Sequence, residues 1–343
     1  MAALACALGA PAIASAFDAK LVVGTSTPGL PSTRITASFD RGNAPIGKIQ
    51  IYVPTGYTLK APASGAVGSA NAIVFVTDVN GEENMRGNVT VARATDPIFT
   101  KIGPTCDNVA HQAAWAVNVT GAGADWNIPV YVDATTGSET QFGATKIVVC
   151  LPPPVVPPTA DNSLRAPNGQ RLISLTMNLT VLSSPASGDV RWRALATPYK
   201  SSDRSGAGDE KPGSTTLDPA ASLEAQSILT LPQRLTLAVK KHGKTATLSG
   251  RLTQNGKPVG ATLVQLQVSK TKRRMTPYAR IKTNGSGTFT KSFAIPGTRY
   301  FRAVVTTGDR DLGAAACTKS FGFTCAHAFA GGSQLYTQLV RVA

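Results

Sequence analysis

Histidine is nearly missing from this chain. His111, His242 and His327 are the only three in 343 residues and lie in different regions, which leaves few candidates for an imidazole metal centre or a Ser/His/Asp triad. No Gly-x-Ser-x-Gly elbow occurs. HGKT at 242–245 lacks the upstream glycine of a phosphate-binding loop, because that position is Ala238. Charged residues make only 15% of the chain and aromatic residues 6%. No apolar run reaches the roughly 18 residues of a membrane span, and helical amphipathic periodicity is missing throughout. These absences point away from a helical bundle, a membrane span and the common catalytic constellations, and no cofactor is expected.

What is abundant is the composition of an exported all-β protein, with 32 Gly, 23 Pro and many Ser and Thr, beside enough Val, Ile, Leu and Ala for real cores. The clearest pattern runs from Arg234 to Thr307. In TATLSGRLT, Ala246, Leu248 and Leu252 share one face of a strand, and LVQLQVS repeats this with Val264, Leu266 and Val268. QNGKPVG (254–260) and TNGSGT (283–288) each carry Asn-Gly, suited to the positive φ of hairpins. GRLTQNGKPVGATLVQL followed by TNGSGTFTKSF resembles the bacterial immunoglobulin-like and carboxypeptidase-regulatory-like sandwich domains, through Gly250, Pro258, Gly260, Gly287 and Phe289. The resemblance covers about a quarter of the chain. It implies a non-enzymatic spacer or binding module and carries no functional residue.

The expected organisation is two β-sandwich domains joined by a Gly/Ser/Pro-rich linker. Residues 1–16 read as a signal peptide, with Ala14 and Ala16 before a cleavage point at Phe17. Residues 17–200 form an N-terminal β-domain with strands at KIQIYV, AIVFVT, GNVTVA, AWAVNV, IPVYVD and TKIVVC. LPPPVVPP (151–158) is an extended connector. LISLTMNLTVL then puts Ile173, Leu175, Met177, Leu179 and Val181 on one side, and DVRWRALATPY is expected to pair with it as a hairpin. Residues 201–227 are the linker, 228–325 the immunoglobulin-like module, and 326–343 a tail.

Four cysteines follow the leader. The local pairing, Cys106 with Cys150 and Cys317 with Cys325, keeps each bond within one expected domain. A four-thiolate zinc site is the alternative, but no Cys-x-x-Cys supports it. His111 lies five residues after Cys106 and reads as a loop histidine, with ligand or base as the sharper reading. Asp78, Asn80 and Glu82 alternate oxygens as a calcium loop does, without its full length; a β-turn explains the same residues. Sequons stand at Asn88, Asn118, Asn178 and Asn284.

Charge is the strongest functional signal. From Ile228 to the end there are 18 Lys and Arg against Asp309 and Asp311, whereas the preceding residues carry 16 basic and 17 acidic side chains. Lys270, Lys272, Arg273 and Arg274 form one cluster, and Lys240, Lys241 and Lys244 a second, both at expected hairpin tips. Such asymmetry points to a polyanionic partner, or to solvated tips that protect strand edges. The expected function is a secreted, non-catalytic envelope or matrix protein whose basic module binds an anionic cell-envelope polymer or polysaccharide. The alternative is a polysaccharide-active enzyme or an accessory carbohydrate-binding protein with its site in the N-terminal domain. There Trp115 and Trp192 fall on apolar strand faces, so Trp126 is the aromatic left to stack on a sugar.

Overall fold

The computed structural model describes residues 19–27, 29–107, 109–121, 123–200, 213–294, 297–306, 310–318, 321–323, 325–331 and 334–342. The expected leader and residues 201–212 of the expected linker lie outside them. The fold is all-β, as the alternation implies.

Strands β1 (Ala19–Thr25), β2 (Pro31–Phe39), β3 (Ile46–Val53), β4 (Thr58–Leu59), β5 (Ala66–Val76) and β6 (Gly81–Ala92) come first. Two short helices follow, α1 (Pro97–Lys101) and α2 (Gly103–Cys106). Then come β7 (Ala113–Gly121), β8 (Ala124–Ala134), β9 (Thr145–Cys150), β10 (Gln170–Ser183), β11 (Gly188–Pro198) and β12 (Leu223–Leu231). The chain next builds β13 (Gln233–Leu235), β14 (Ala238–His242), β15 (Thr245–Gln254), β16 (Lys257–Pro258), β17 (Leu263–Ser269), β18 (Thr276–Lys282), β19 (Thr288–Ala294) and β20 (Arg299–Thr306). It ends with β21 (Arg310–Gly313), β22 (Cys325–Ala330), β23 (Gln334–Tyr336) and β24 (Val340–Val342).

One large sheet runs β1-β2-β10-β5-β6-β7-β8-β9-β3-β11-β12-β22-β21, with β4 beside β10. Its ladders are antiparallel except β12 with β22. Alternate residues of nearly every strand face one shared core: Ile49, Ile51 and Val53 from β3, Trp126, Ile128, Val130 and Val132 from β8, Trp192 and Ala194 from β11. Burying each large side chain contributes about 2 kcal/mol, and this row of period-2 positions rolls the sheet around itself. The roll closes where β1 meets β12 and β22. Val23 N donates to Ser227 Oγ at 3.0 Å, and the Val23 carbonyl lies against Gly331, leaving no room there for a Cβ.

The rest forms a sandwich-like pair of sheets. One has β13 and β14 on β15, with β16 and β19 also on β15; the other runs β18-β17-β20-β23, with β24 on β20. Between them lie Ala246, Leu248, Leu252, Val264, Leu266, Phe289 and Phe301. Ala246, Leu248 and Leu252 do share the inward face.

Several expectations change. β10 and β11 do not form a hairpin: β10 lies between β2 and β5, and β11 between β3 and β12. A register shift between Leu172 and Ser174 turns Leu172 inward in place of Ile173. The expected boundary at 227/228 falls inside β12, whose Glu224, Gln226 and Ser227 are buried polar residues that disguise a strand as linker. β21 and β22 belong to the large sheet, while β23 and β24, in the expected tail, complete the sandwich. Of the two Asn-Gly turns, Asn255-Gly256 has positive φ at both residues, 48° and 74°. At 284–287 positive φ falls on Gly287 instead, and Asn284 Oδ1 accepts from Ser286 N and Thr288 N.

The close approach at the closing seam gives a direct test. Gly331→Ala forces β1 away from β22, and overpacking of this kind costs about 1–3 kcal/mol. Urea unfolding should show a lower midpoint with an unchanged slope.

Candidate functional site

Two concentrations of functional side chains stand out. The first is a cross-strand row on the outer face of the large sheet. Ladder register places Asp133 opposite Lys146, Lys146 opposite Tyr52, Tyr52 opposite Arg193 and Arg193 opposite Gln226. These residues point away from the core because Val132, Ile147, Ile51 and Trp192, one step along each strand, point into it.

The row is covered, which is why it is dry. At one end, α1 and α2 pack Phe99, Ile102 and Cys106 on Tyr131 and Val148. The Cys106–Cys150 disulfide clips them down, with Cα atoms 5.7 Å apart; closing a loop of that length stabilises by about 4 kcal/mol in the chain-entropy model. In the middle sits the 3-10 turn Gly137–Phe142. At the other end, the Cys317–Cys325 loop lays Phe321 against Tyr52 (4.9 Å between ring centroids) and Phe142 (4.5 Å). Both disulfides are the local pairs expected. Disulfides persist in oxidising compartments.

Within the row, His111 Nδ1 lies 2.7 Å from Asp133 Oδ1, and its ring stacks on Tyr131 at 3.6 Å. Burial pushes the Asp133 carboxyl above the usual range, although His111 opposes the shift. Asp133 Oδ2 finds no hydrogen-bond donor among the described residues. Lys48 Nζ lies 3.4 Å from Asp107. Glu139 accepts from the Tyr52 hydroxyl (2.6 Å) and from Lys146 Nζ (2.9 Å). Burial pushes Glu139 up, but those two donors outweigh it and hold the carboxyl below its ordinary value. Burial and then Glu139 drive the Tyr52 hydroxyl far upward. Arg193 donates to Thr318 Oγ1, and Arg191 to Gln226 Oε1 and the Ala316 carbonyl. The row therefore fastens three covering segments to the sheet, with each charge engaged. It is a structural seam, and His111 belongs to it as a partner of Asp133.

The second concentration is basic. Lys240 and Lys241 are exposed on edge strand β14, Lys244 follows in the turn to β15, and Lys270, Lys272, Arg273 and Arg274 are exposed in the β17–β18 turn. Register brings both turns to one end of the sandwich. Thr245, where β15 leaves the first turn, pairs with Ala294 at the end of β19, and Ser269, before the second, pairs with Tyr300 at the start of β20. The end of β19 and the start of β20, with Arg299, therefore lie at the same end, and Arg341 pairs with Tyr300 there. The chain passes to and from the large sheet at the opposite end.

The remaining candidates disperse. Arg165 forks onto Asp78 (2.5 and 3.2 Å), Arg41 donates to Asn80 Oδ1, and Glu82 is exposed on β6, so two guanidinium groups occupy the oxygens of the expected calcium loop. Among the described residues no group of three or more His, Cys, Asp and Glu is placed to hold a metal ion. No helix among them is long and apolar enough to cross a membrane. Trp126 is not a sugar platform: it is 2% exposed in the core, with Trp115 and Trp192 at 0%.

No family model matches the chain, and no curated protein matches it. Among solved structures the chain is similar to a tetra-tandem repeat in the extending region of a large adhesion protein. That likeness has 11% identity and a TM-score of 0.22, over 96% of this chain and 74% of that one. It is also similar to the β-1,2-glucanase of Parabacteroides distasonis, with 10% identity and a TM-score of 0.17, over 93% of this chain and 36% of that one. At these scores neither likeness carries an argument.

The seam has a pH signature. A carboxyl whose folded pKa is lowered stabilises the fold above its ordinary value, near 4.5 for Glu139, and that stability is lost as pH falls through the lowered folded value. Asp133, raised, contributes with the opposite sign. Glu139→Gln should therefore lower the urea midpoint at pH 7 and flatten its fall toward acid. A variant with the wild-type acid slope would remove Glu139 from the seam.

Proposed function

We propose that the protein is an exported, non-catalytic envelope or matrix protein whose basic, immunoglobulin-like sandwich binds an anionic polymer. The observation that carries this reading is the charge of the sandwich: residues 233–306 and 334–342 hold 16 Lys and Arg and no Asp or Glu. A module without acidic side chains has a field unscreened by carboxylates of its own and concentrates anions at its surface. The part of the chain before Ile228, with 16 basic and 17 acidic residues, has no such field. Two disulfides suit an oxidising, extracellular setting. The outer-face row, with its charged groups held by hydrogen bonds and its surface covered, supports a scaffold role for the large sheet.

Polyanion binding by Lys and Arg releases condensed counterions, so it weakens steeply with salt, whereas apolar or sugar-stacking binding does not. The full chain should be retained on heparin resin at about 50 mM salt and released well before about 500 mM, as the screening length falls below about 10 Å. Passage through the resin at the lowest salt overturns the proposal.

A further inference from the structure

We propose that the far end of the sandwich, built from the β14–β15 and β17–β18 turns and the start of β20, is a binding site for an acidic polysaccharide. This rests on the polymer-binding reading above and gives it a place and a ligand class. Nine of the module's 16 cations gather there: Lys240, Lys241, Lys244, Lys270, Lys272, Arg273, Arg274, Arg299 and Arg341. Charge of one sign crowded on a small surface costs repulsion, which a bound polyanion relieves.

The backbone supplies a second, independent sign. Lys272 has φ +69°, in the left-handed region that L residues rarely enter. Among the described residues, three of the four other non-glycine residues with positive φ are Asn, the type that tolerates it best. The turn thus keeps a strained lysine where glycine or asparagine would relax it, and such strain persists where function needs the side chain. The Lys272 ammonium lies 5.2 Å from the Tyr300 ring centroid, which holds it at the tip between Lys270 and Arg273.

Aromatic rings decide the ligand class. Single-stranded nucleic acid is bound by a series of open rings on which bases stack. Here Phe301 is buried, Phe293 packs against it at 4.7 Å, and Lys272 covers Tyr300. Tyr278, just below the turn on β18, packs edge-on against Phe293 and Phe301 at 5.8 and 5.5 Å and keeps 41% of its surface exposed, the most of the described rings at this end. A single ring among flexible cations fits a sugar ring within a charged chain.

The test uses the full chain, titrated with heparin, with polygalacturonate and with duplex DNA at about 100 mM salt, where screening acts over about 10 Å. One variant carries Lys270→Ser, Lys272→Ser, Arg273→Ser and Arg274→Ser; a control removes four cations from the other end and flank, as Arg234→Ser, Arg251→Ser, Lys257→Ser and Lys282→Ser. The expected result is a loss of about tenfold or more in glycan affinity for the first and under about threefold for the second, since only contacted cations release counterions. Tighter binding of heparin assigns sulfate esters, and tighter binding of polygalacturonate assigns uronate carboxylates. Lys272→Gly separates binding from folding: it should raise or keep the thermal midpoint while weakening glycan binding. If wild type binds none of the three polymers, the polymer-binding reading itself falls. Equal losses in the two quadruple variants leave that reading standing and overturn the site. Preference for duplex DNA over both glycans overturns the ligand class.

Discussion

The inward face of the large sheet is dry only because the sheet returns to meet its own first strand. Without the contact of β1 with β12 and β22, Leu21, Val23, Ala225 and their neighbours would line an open edge, and the shared core would lose one wall. That closure depends on close backbone approach, with Ser227 Oγ accepting from Val23 N and Gly331 under the Val23 carbonyl. It also sets where the sandwich hangs. The chain leaves the seam from β12 into β13, comes back at β21 and leaves again after β22. Three passes at one end hold the sandwich there and turn its opposite end outward.

The two halves then divide the electrostatics. On the large sheet the charged groups are covered and engaged: Asp133 holds His111, Lys146 pairs with Glu139 of the Gly137–Phe142 turn, and Arg193 donates to Thr318 of the Cys317–Cys325 loop. Burial makes such pairs expensive to break, roughly 3–5 kcal/mol when one partner is lost. On the sandwich, the cations have no carboxylate in their own module, and the excess is densest at the outward end. The same residue types thus serve cohesion on one half and, in the proposed function, attraction of an outside partner on the other.

Much of this was legible in the sequence. Period-2 alternation in KIQIYV, AWAVNV and IPVYVD marks β3, β7 and β8, and the local pairing of the four cysteines beyond residue 16 marks both disulfides. β12 was not, because a strand covered on both faces can bury Glu224 and Gln226, and polar residues after a Gly/Ser/Pro stretch read as linker. Nor was the outer-face row, since Tyr52, Asp133, Lys146 and Arg193 become neighbours only through register across strands distant in sequence. The basic clusters were visible as hairpin tips. That they share an end with Arg299 follows from the register of β19 on β15 and of β20 on β17, which no local pattern announces.

In the proposed function an acidic polymer docks on the outward end of the sandwich and nowhere else on the chain. Amide hydrogen exchange of the full protein, with and without a short heparin oligosaccharide, tests it most directly. Docking at that end should slow exchange only at residues 240–244, 270–276 and the start of β20 at Arg299–Tyr300. Slowing at the Asn255–Gly256 turn or across the outer-face row, with none at 270–276, contradicts it.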